Sequence, residues 1–164
     1  MNLEAQLQAL VDQAPQDGQT PDLIEAIGPG LLELAQQLRH PQYFVLQDRS
    51  EQWVTTILSN RNQPDQEKTV VYAYSTLEDA QRSIPESQRR EMQGVGLPVL
   101  YLLFQLIALA PVESLLIFEA AGDRSQALEI TRAELQTLVK THLQLYKYRK
   151  SQAPSAPPIP PNLA

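Results

Sequence analysis

The amino-acid sequence predicts an α+β domain with a mixed, largely antiparallel sheet of about five strands covered by helices. Two observations lead to this prediction: short runs rich in aromatic and β-branched residues are separated by polar turns, and in other stretches apolar residues recur at helical spacing. The chain has 164 residues, of which 43% are hydrophobic. That length suffices for one domain of ordinary size and not for two with full cores.

Residues 1–40 are predicted to form an acidic helical leader. Leucines recur at helical spacing in the first eleven residues, and the Thr-Pro pair that ends at Pro21 is a typical start of a second helix. The Gly-Pro-Gly sequence at residues 28–30 interrupts the second pattern. Because proline removes a helical hydrogen bond, we expect the second helix to be broken or restarted there.

Residues 41–148 are predicted to form the α+β domain itself. Three runs rich in aromatic and β-branched residues are predicted strands, with antiparallel neighbours as the simplest arrangement: residues 43–46, 53–58 and 69–74. Ser75 and Glu78 have the spacing of a capping box, which predicts a helix directly after the third strand. That helix should end near Ser83, because Pro85 follows.

The second half of this domain is predicted to contain two more helices and two more strands. Residues 99–110 form an apolar helix, and the continuous apolar run 115–118 is the best candidate for a central strand. A short strand over residues 127–130 leads into a last helix, which opens with a capping box at Thr131.

The apolar segment 95–112 is interpreted as a core helix and not as a membrane span. Pro98 and Pro111 bracket only twelve of its residues. A helix of that length covers about 18 Å, whereas a bilayer core is about 30 Å thick. The first residues are acidic and no apolar signal region follows them, so we expect a cytoplasmic protein.

Residues 149–164 are predicted to be a disordered, proline-rich tail, because dense proline sustains neither a helix nor an inner strand. The spacing of Pro154, Pro157 and Pro160 also fits what aromatic grooves accept from a polyproline helix. The alternative is a flexible tail in which dense proline produces this spacing by chance.

Charge and residue usage exclude several classes of function. The formal net charge of −6 argues against nucleic acid as the main partner, since phosphate binding needs a basic face. The chain has no cysteine, which removes disulfides and thiolate chemistry. His40 and His142 lack acidic neighbours at metal-ligand spacing, and the Gly-Val-Gly sequence ending at Gly96 fails the dinucleotide fingerprint. We therefore predict no catalytic residue, cofactor or metal.

Five residues are predicted to contact a partner protein. Trp53, Tyr72 and Tyr74 are candidate aromatic anchors, because interfaces favour such side chains. Arg89 and Arg90 are a candidate charged rim. The competing interpretation is that the strand aromatics belong to an ordinary core.

The sequence resembles the SseB N-terminal domain family over residues 31–145. The resemblance rests on the order of the elements and on the residues at their joints: 43–46, 70–80, 115–118 and 128–135. In particular, the segment Ala-Tyr-Ser-Thr-Leu-Glu at residues 73–78 is similar to the family's strand that runs into Phe-Thr-Ser-Leu-Glu. The chain departs from the family at residues 119–122, where an Asn-Pro-Gly-like turn is usual.

A more distant resemblance is to the chloroplast intermembrane-space translocon component and its cyanobacterial relatives, which share a strand-to-helix joint of this kind. Those relatives are exported, whereas this start lacks a signal. The glutamine-rich and leucine-rich composition also fits a cyanobacterial source. The SseB-like resemblance implies a non-enzymatic domain that acts through protein contacts, with no cofactor and no catalytic residues.

We therefore expect an adaptor, regulatory or assembly factor that offers another protein a sheet face, a groove beside the 99–110 helix, or its termini. One alternative is a peripheral component of a membrane or photosynthetic complex, held by the basic side chains of Lys147, Arg149 and Lys150. A second alternative is a hydrolase with an unfamiliar site, for which no nucleophile-and-base pair can be named.

Overall fold

The structure, a computed structural model, describes residues 2–15, 20–60, 62–123 and 125–152. Within these residues the chain forms five α-helices: α1 (Leu3–Gln13), α2 (Thr20–Gln36), α3 (Leu77–Arg82), α4 (Val99–Ala108) and α5 (Arg132–Gln152). The same residues form six β-strands: β1 (Gln42–Asp48), β2 (Thr56–Asn60), β3 (Gln63–Tyr74), β4 (Met92–Pro98), β5 (Ser114–Phe118) and β6 (Leu128–Thr131). A single 3-10 turn, Glu86–Gln88, precedes β4.

The six strands form one mixed, mostly antiparallel sheet in the order β4-β1-β3-β5-β6, and β2 pairs with the first half of β3. Only β3 and β5 are parallel among the pairs of this sheet. The predicted fold class is therefore confirmed. Residues 115–118 lie inside the sheet, between β3 and β6, as the apolar run predicts.

Strand β4 is an element that sequence analysis missed. It pairs with β1 along its whole length, from Gln42 opposite Pro98 to Asp48 opposite Met92. Gly94 and Gly96 weaken the strand pattern in the sequence, since glycine packs no side chain. Neighbouring side chains occupy the space that a side chain at either glycine would need. A Cβ at Gly94 would lie 2.8 Å from Leu77 of α3, and one at Gly96 would lie 2.9 Å from the Phe44 ring.

The main hydrophobic core lies between one face of the sheet and helices α1, α2, α4 and α5. The predicted leader contributes directly to this core through Leu10, Ile24 and Leu31, which pack in the same cluster as residues of the sheet and of α4. Residues 2–15 and 20–40 therefore belong to the same core as the predicted domain and do not form a separate layer outside it.

A buried glutamine joins the first helix to the start of α4. Pro98 precedes α4 and offers no side-chain cap. Gln6, which is distant in sequence, caps this helix instead: its Oε1 accepts a hydrogen bond from the Leu100 amide at 3.0 Å. Its Nε2 donates to the Pro41 carbonyl at 2.8 Å. One side chain thus satisfies a helix N-terminus and the chain entering β1.

Helix α2 is continuous through residues 28–30, so the prediction of a break there is wrong. Pro29 lies inside the helix, and its side chain is exposed. Because proline has no amide hydrogen, the helix lacks one backbone hydrogen bond there, on its solvent side. The flanking glycines permit close helix packing. A Cβ at Gly28 would lie 2.8 Å from Leu7 of α1, and one at Gly30 would lie 2.5 Å from Leu138 of α5.

The opposite face of the sheet carries a second, smaller core beneath α3, formed by Tyr74, Ala80 and Phe118. The cap of α3 is Thr76, whose side chain accepts from the Asp79 amide at 3.1 Å, and not Ser75 as predicted. Ser75 still belongs to the segment leaving β3, and its hydroxyl is buried. The predicted end of this helix at Ser83 is confirmed.

Helix α5 opens at the predicted cap, where Thr131 Oγ1 accepts from the Glu134 amide at 3.0 Å. It runs to Gln152, four residues into the segment predicted as tail. The rest of the predicted proline-rich tail, residues 153–164, lies outside the described residues.

Candidate functional site: a groove beside helix α4

A groove of about 570 Å³ lies between helix α4 and the loop that follows β1. It occupies the place where sequence analysis expected a groove, beside the apolar helix. Its walls combine aromatic and aliphatic side chains with carboxamides, and the residues that line it are Gln47, Glu51, Gln52, Trp53, Thr55, Tyr101, Gln105, Leu109, Pro111 and Val112.

The loop wall of the groove is held by a tight turn after β1. The Asp48 carboxylate accepts from the amides of Ser50 at 2.8 Å and Gln52 at 3.1 Å. This arrangement is an Asx-type turn, in which a side chain replaces a backbone acceptor. Glu51 takes a left-handed conformation with φ of 62°, which is costly for a residue with a side chain. The turn therefore has a defined shape, with Glu51 and Gln52 placed at the rim.

Trp53 follows this turn and lies at the base of the loop wall. The predicted strand over residues 53–58 forms only from Thr56, while Trp53 makes an isolated antiparallel bridge to Gln47. The Val54 amide donates to the Leu46 carbonyl at 2.8 Å, which returns the chain to β1. The Trp53 ring is half-buried: it packs against the main core and also lines the groove.

The helical wall is the outward face of α4. Tyr101 and Gln105 are four residues apart, so they lie above one another on one side of the helix, and Leu109 follows directly after its end. The opposite side is buried in the main core through Leu102, Leu103 and Leu106. Tyr101 is 36% exposed and gives this wall its aromatic surface. The nearly all-apolar sequence of α4 thus serves the core on one side and the groove on the other.

The groove combines apolar contact surface with hydrogen-bonding groups. The rings of Trp53 and Tyr101 offer apolar contact area, and carboxamides both donate and accept hydrogen bonds. Glu51 is its single ionisable carboxylate. The walls of the groove are therefore mostly uncharged.

Arg89 and Arg90, the predicted charged rim, are both exposed and line a neighbouring cavity of about 550 Å³. Gln47 lines this cavity as well as the groove, so the two lie on either side of it. The Arg49 side chain reaches the same cavity and donates through Nε to the Arg90 carbonyl at 3.1 Å. Arg89 also lines a cavity beside α3, with Glu78 and Arg82. Neither arginine lines the groove with Trp53.

Tyr72 and Tyr74, the other predicted anchors, lie on the far face of the sheet and not in the groove. Tyr74 is only 2% exposed and stacks on Phe118 at 5.4 Å between ring centroids. Tyr72 is half-buried and stacks on the same ring at 5.7 Å. Tyr74 is therefore a core residue and not a surface anchor, because α3 covers it.

A polar cluster that sequence analysis missed connects the end of β5 to the start of β1. The buried Tyr43 hydroxyl donates to Glu119 Oε1, and the Arg39 amide donates to Glu119 Oε2 at 2.9 Å. His40 closes the cluster, with Nε2 3.0 Å from the Glu119 carbonyl oxygen and its ring edge-on to Tyr43. Burial, and then the hydrogen bond to Glu119, raises the pKa of Tyr43 well above its ordinary value.

The part of the chain that the structure describes contains neither a metal-binding cluster nor a membrane-spanning helix. No group of three or more histidine, aspartate and glutamate side chains there could hold a metal ion. No helix among the described residues has the length and apolar character needed to cross a membrane.

Comparison with protein-family models and with curated protein sequences gave no match for this chain. The resemblance to the SseB N-terminal domain family therefore stays a prediction that rests on the residues quoted for it.

Proposed function

We propose that this chain is a non-enzymatic protein-interaction module, acting as an adaptor, regulatory or assembly factor. Its groove beside α4 takes a short extended segment of a partner protein. The observation that carries the proposal is that Trp53 and Tyr101 line the same groove, together with carboxamides, aliphatic groups and the single carboxylate of Glu51.

The size and composition of the groove support a peptide ligand. Its volume lies within the range of about 300–1,000 Å³ that is typical of ligand pockets. Tryptophan and tyrosine are the residues most enriched among those that dominate binding energy at interfaces. Both are supplied here from rigid positions, one after a closed turn and one on a helix whose other side is core.

The arginines beside the groove add a directional feature. Arg89 and Arg90 are exposed and line a separate cavity, which shares Gln47 with the groove. Such rim charges change association rate and specificity more than they change affinity. A partner segment that continues past Gln47 with acidic residues would therefore be favoured.

The test is a selection of short random peptides displayed on phage against the immobilised full chain. Trp53 is the only tryptophan, so all tryptophan emission of the free protein comes from a residue that lines the groove. Selected peptides should change that emission on titration. Tyr101→Ala should lower their affinity by about tenfold or more, the effect expected for an aromatic anchor.

Tyr148→Ala is the matched control, because Tyr148 is 63% exposed on α5 and does not line the groove. It should leave the affinity unchanged. The proposal would be refuted if no enriched peptide altered the Trp53 emission, or if both tyrosine variants bound the selected peptides as the native chain does.

A second candidate function is the peripheral subunit of a membrane or photosynthetic complex. It is favoured by the last turns of α5, where Lys147 and Arg149 are exposed. Flotation with vesicles of phosphatidylglycerol separates the two candidates. Association at low salt that is lost at high salt supports the second, whereas a chain that stays in the bottom fraction at both supports the first.

A further inference from the structure

The prolines of residues 154–161 have a regular spacing in the sequence. Pro154, Pro157 and Pro160 recur every third residue, as do Pro158 and Pro161. A polyproline II helix has three residues per turn, so these two series lie on two adjacent edges of it. Residues 153–164 contain no charged side chain. The segment would therefore present two uncharged proline ridges side by side.

The α4 groove has the chemistry that recognises such a ridge. Polyproline helices bind in grooves lined by aromatic rings, and their backbone carbonyls remain free to accept hydrogen bonds. Trp53 and Tyr101 supply the rings. The carboxamides of Gln52 and Gln105 supply N–H donors from both walls. A neutral ligand also avoids the desolvation of charges against apolar walls.

The length of α5 separates the start of this segment, Pro154, from the groove of its own chain. Helix α5 begins beside the groove, because the Arg132 amide donates at 2.7 Å to the carbonyl of Glu113, the residue after groove-lining Val112. The helix then runs for 21 residues, which is about 31 Å. Pro154 follows Gln152 by only two residues, or about 7 Å of chain.

We infer that residues 154–161 of one copy of this chain bind in the α4 groove of a second copy. The inference rests on the proposed function, namely that the groove takes an extended peptide. A contact between two different surfaces of the same molecule is heterologous, so it joins copies head to tail and depends on concentration.

The experiment compares the native full chain with a full-length variant in which Pro154, Pro157, Pro158, Pro160 and Pro161 are all replaced by alanine. Sedimentation velocity over a range of concentrations should show assembly of the native chain and not of the proline variant. A synthetic peptide of residues 153–164 should change the Trp53 emission of the proline variant, and a scrambled peptide of the same composition should not. Tyr101→Ala should weaken the peptide about tenfold or more.

Each outcome decides the inference. Assembly that is lost in the proline variant, together with a response of Trp53 to the native peptide, supports it. A native chain that sediments like the variant at every concentration, with Trp53 unaffected by the peptide, overturns it. If phage-selected peptides bind the groove while the 153–164 peptide does not, the inference fails and the proposed function stands.

Discussion

Gln6 shows how much one side chain of the first helix contributes to the rest of the molecule. It is buried, and its carboxamide bridges the Leu100 amide and the Pro41 carbonyl. Gln6→Leu removes the acceptor of the Leu100 amide, whereas the Pro41 carbonyl still accepts from the Val99 amide at 2.9 Å. We therefore expect a loss of about 1–3 kcal/mol in the free energy of unfolding. Chemical denaturation measures it.

The control for this change is Gln8→Leu on the same helix. Gln8 is exposed and bonds only to Asp12 one turn further along, at 2.8 Å. Its replacement should alter stability by less than about 0.5 kcal/mol. Equal effects of the two substitutions would show that Gln6 does not cap α4.

Tyr43 gives a prediction about pH. Its raised pKa means that the folded state holds the hydroxyl proton more tightly than the unfolded state does. This contribution is complete below the ordinary tyrosine pKa of about 10 and is lost progressively as the pH rises from there to the higher pKa of the folded state. Tyr43→Phe should cost about 1.5–3 kcal/mol at neutral pH, because Glu119 loses a donor.

The measurement is the free energy of unfolding of both proteins at neutral pH and above a pH of about 10. The difference in the free energy of unfolding between the native chain and Tyr43→Phe should be smaller at the higher pH. A gap that stays constant or widens would contradict the buried hydrogen bond to Glu119.

Individual residues were only partly predictable from the sequence. Trp53 was singled out because tryptophan is common at interfaces, and it lines the groove. Tyr74 carried the same signal and is buried, because only the fold places α3 over it. The Tyr43 and Glu119 pair had no signal at all, since 76 positions separate the two residues and neither lies in a motif.

At the scale of elements, helix α2 invites a test of its internal proline. Pro29 lacks an amide hydrogen in mid-helix and is exposed. Pro29→Ala restores the hydrogen bond and should stabilise the chain by about 1–2 kcal/mol, after the higher entropy of the unfolded alanine chain is subtracted. Thermal and chemical denaturation both measure this.

Pro21→Ala is the paired control, because Pro21 lies in the first turn, where backbone amides have no partner within the helix. Its effect should stay within about 0.5 kcal/mol. A loss of stability in Pro29→Ala would contradict a continuous helix that lacks one backbone hydrogen bond at Pro29.

Elements with strong periodicity were predictable, and those shaped by tertiary contacts were not. The apolar run of α4 and the cap of α5 are confirmed close to their predicted positions. Strand β4 was missed because Gly94 and Gly96 leave little strand signal, although the ladder to β1 stabilises it. The cap of α3 was displaced by one residue, since both Ser75 and Thr76 can accept the hydrogen bond.

For the whole molecule, the sheet divides the chain into two unequal cores. One face carries the main core with four helices, and α3 covers part of the other. The mixed sheet followed from strand composition in the sequence. The packing of α1 and α2 in the main core could not be predicted from the sequence. Amphipathic periodicity shows that a helix has an apolar face, but it does not show what that face covers.

Amide hydrogen exchange of the full chain, with and without a phage-selected peptide, measures most directly whether the groove is the binding surface. Docking beside α4 predicts slower exchange in residues 47–55 and 109–113, with residues 72–74 unchanged. Slower exchange confined to residues 72–74, or no change in exchange at saturating peptide, would contradict peptide binding in the groove beside α4.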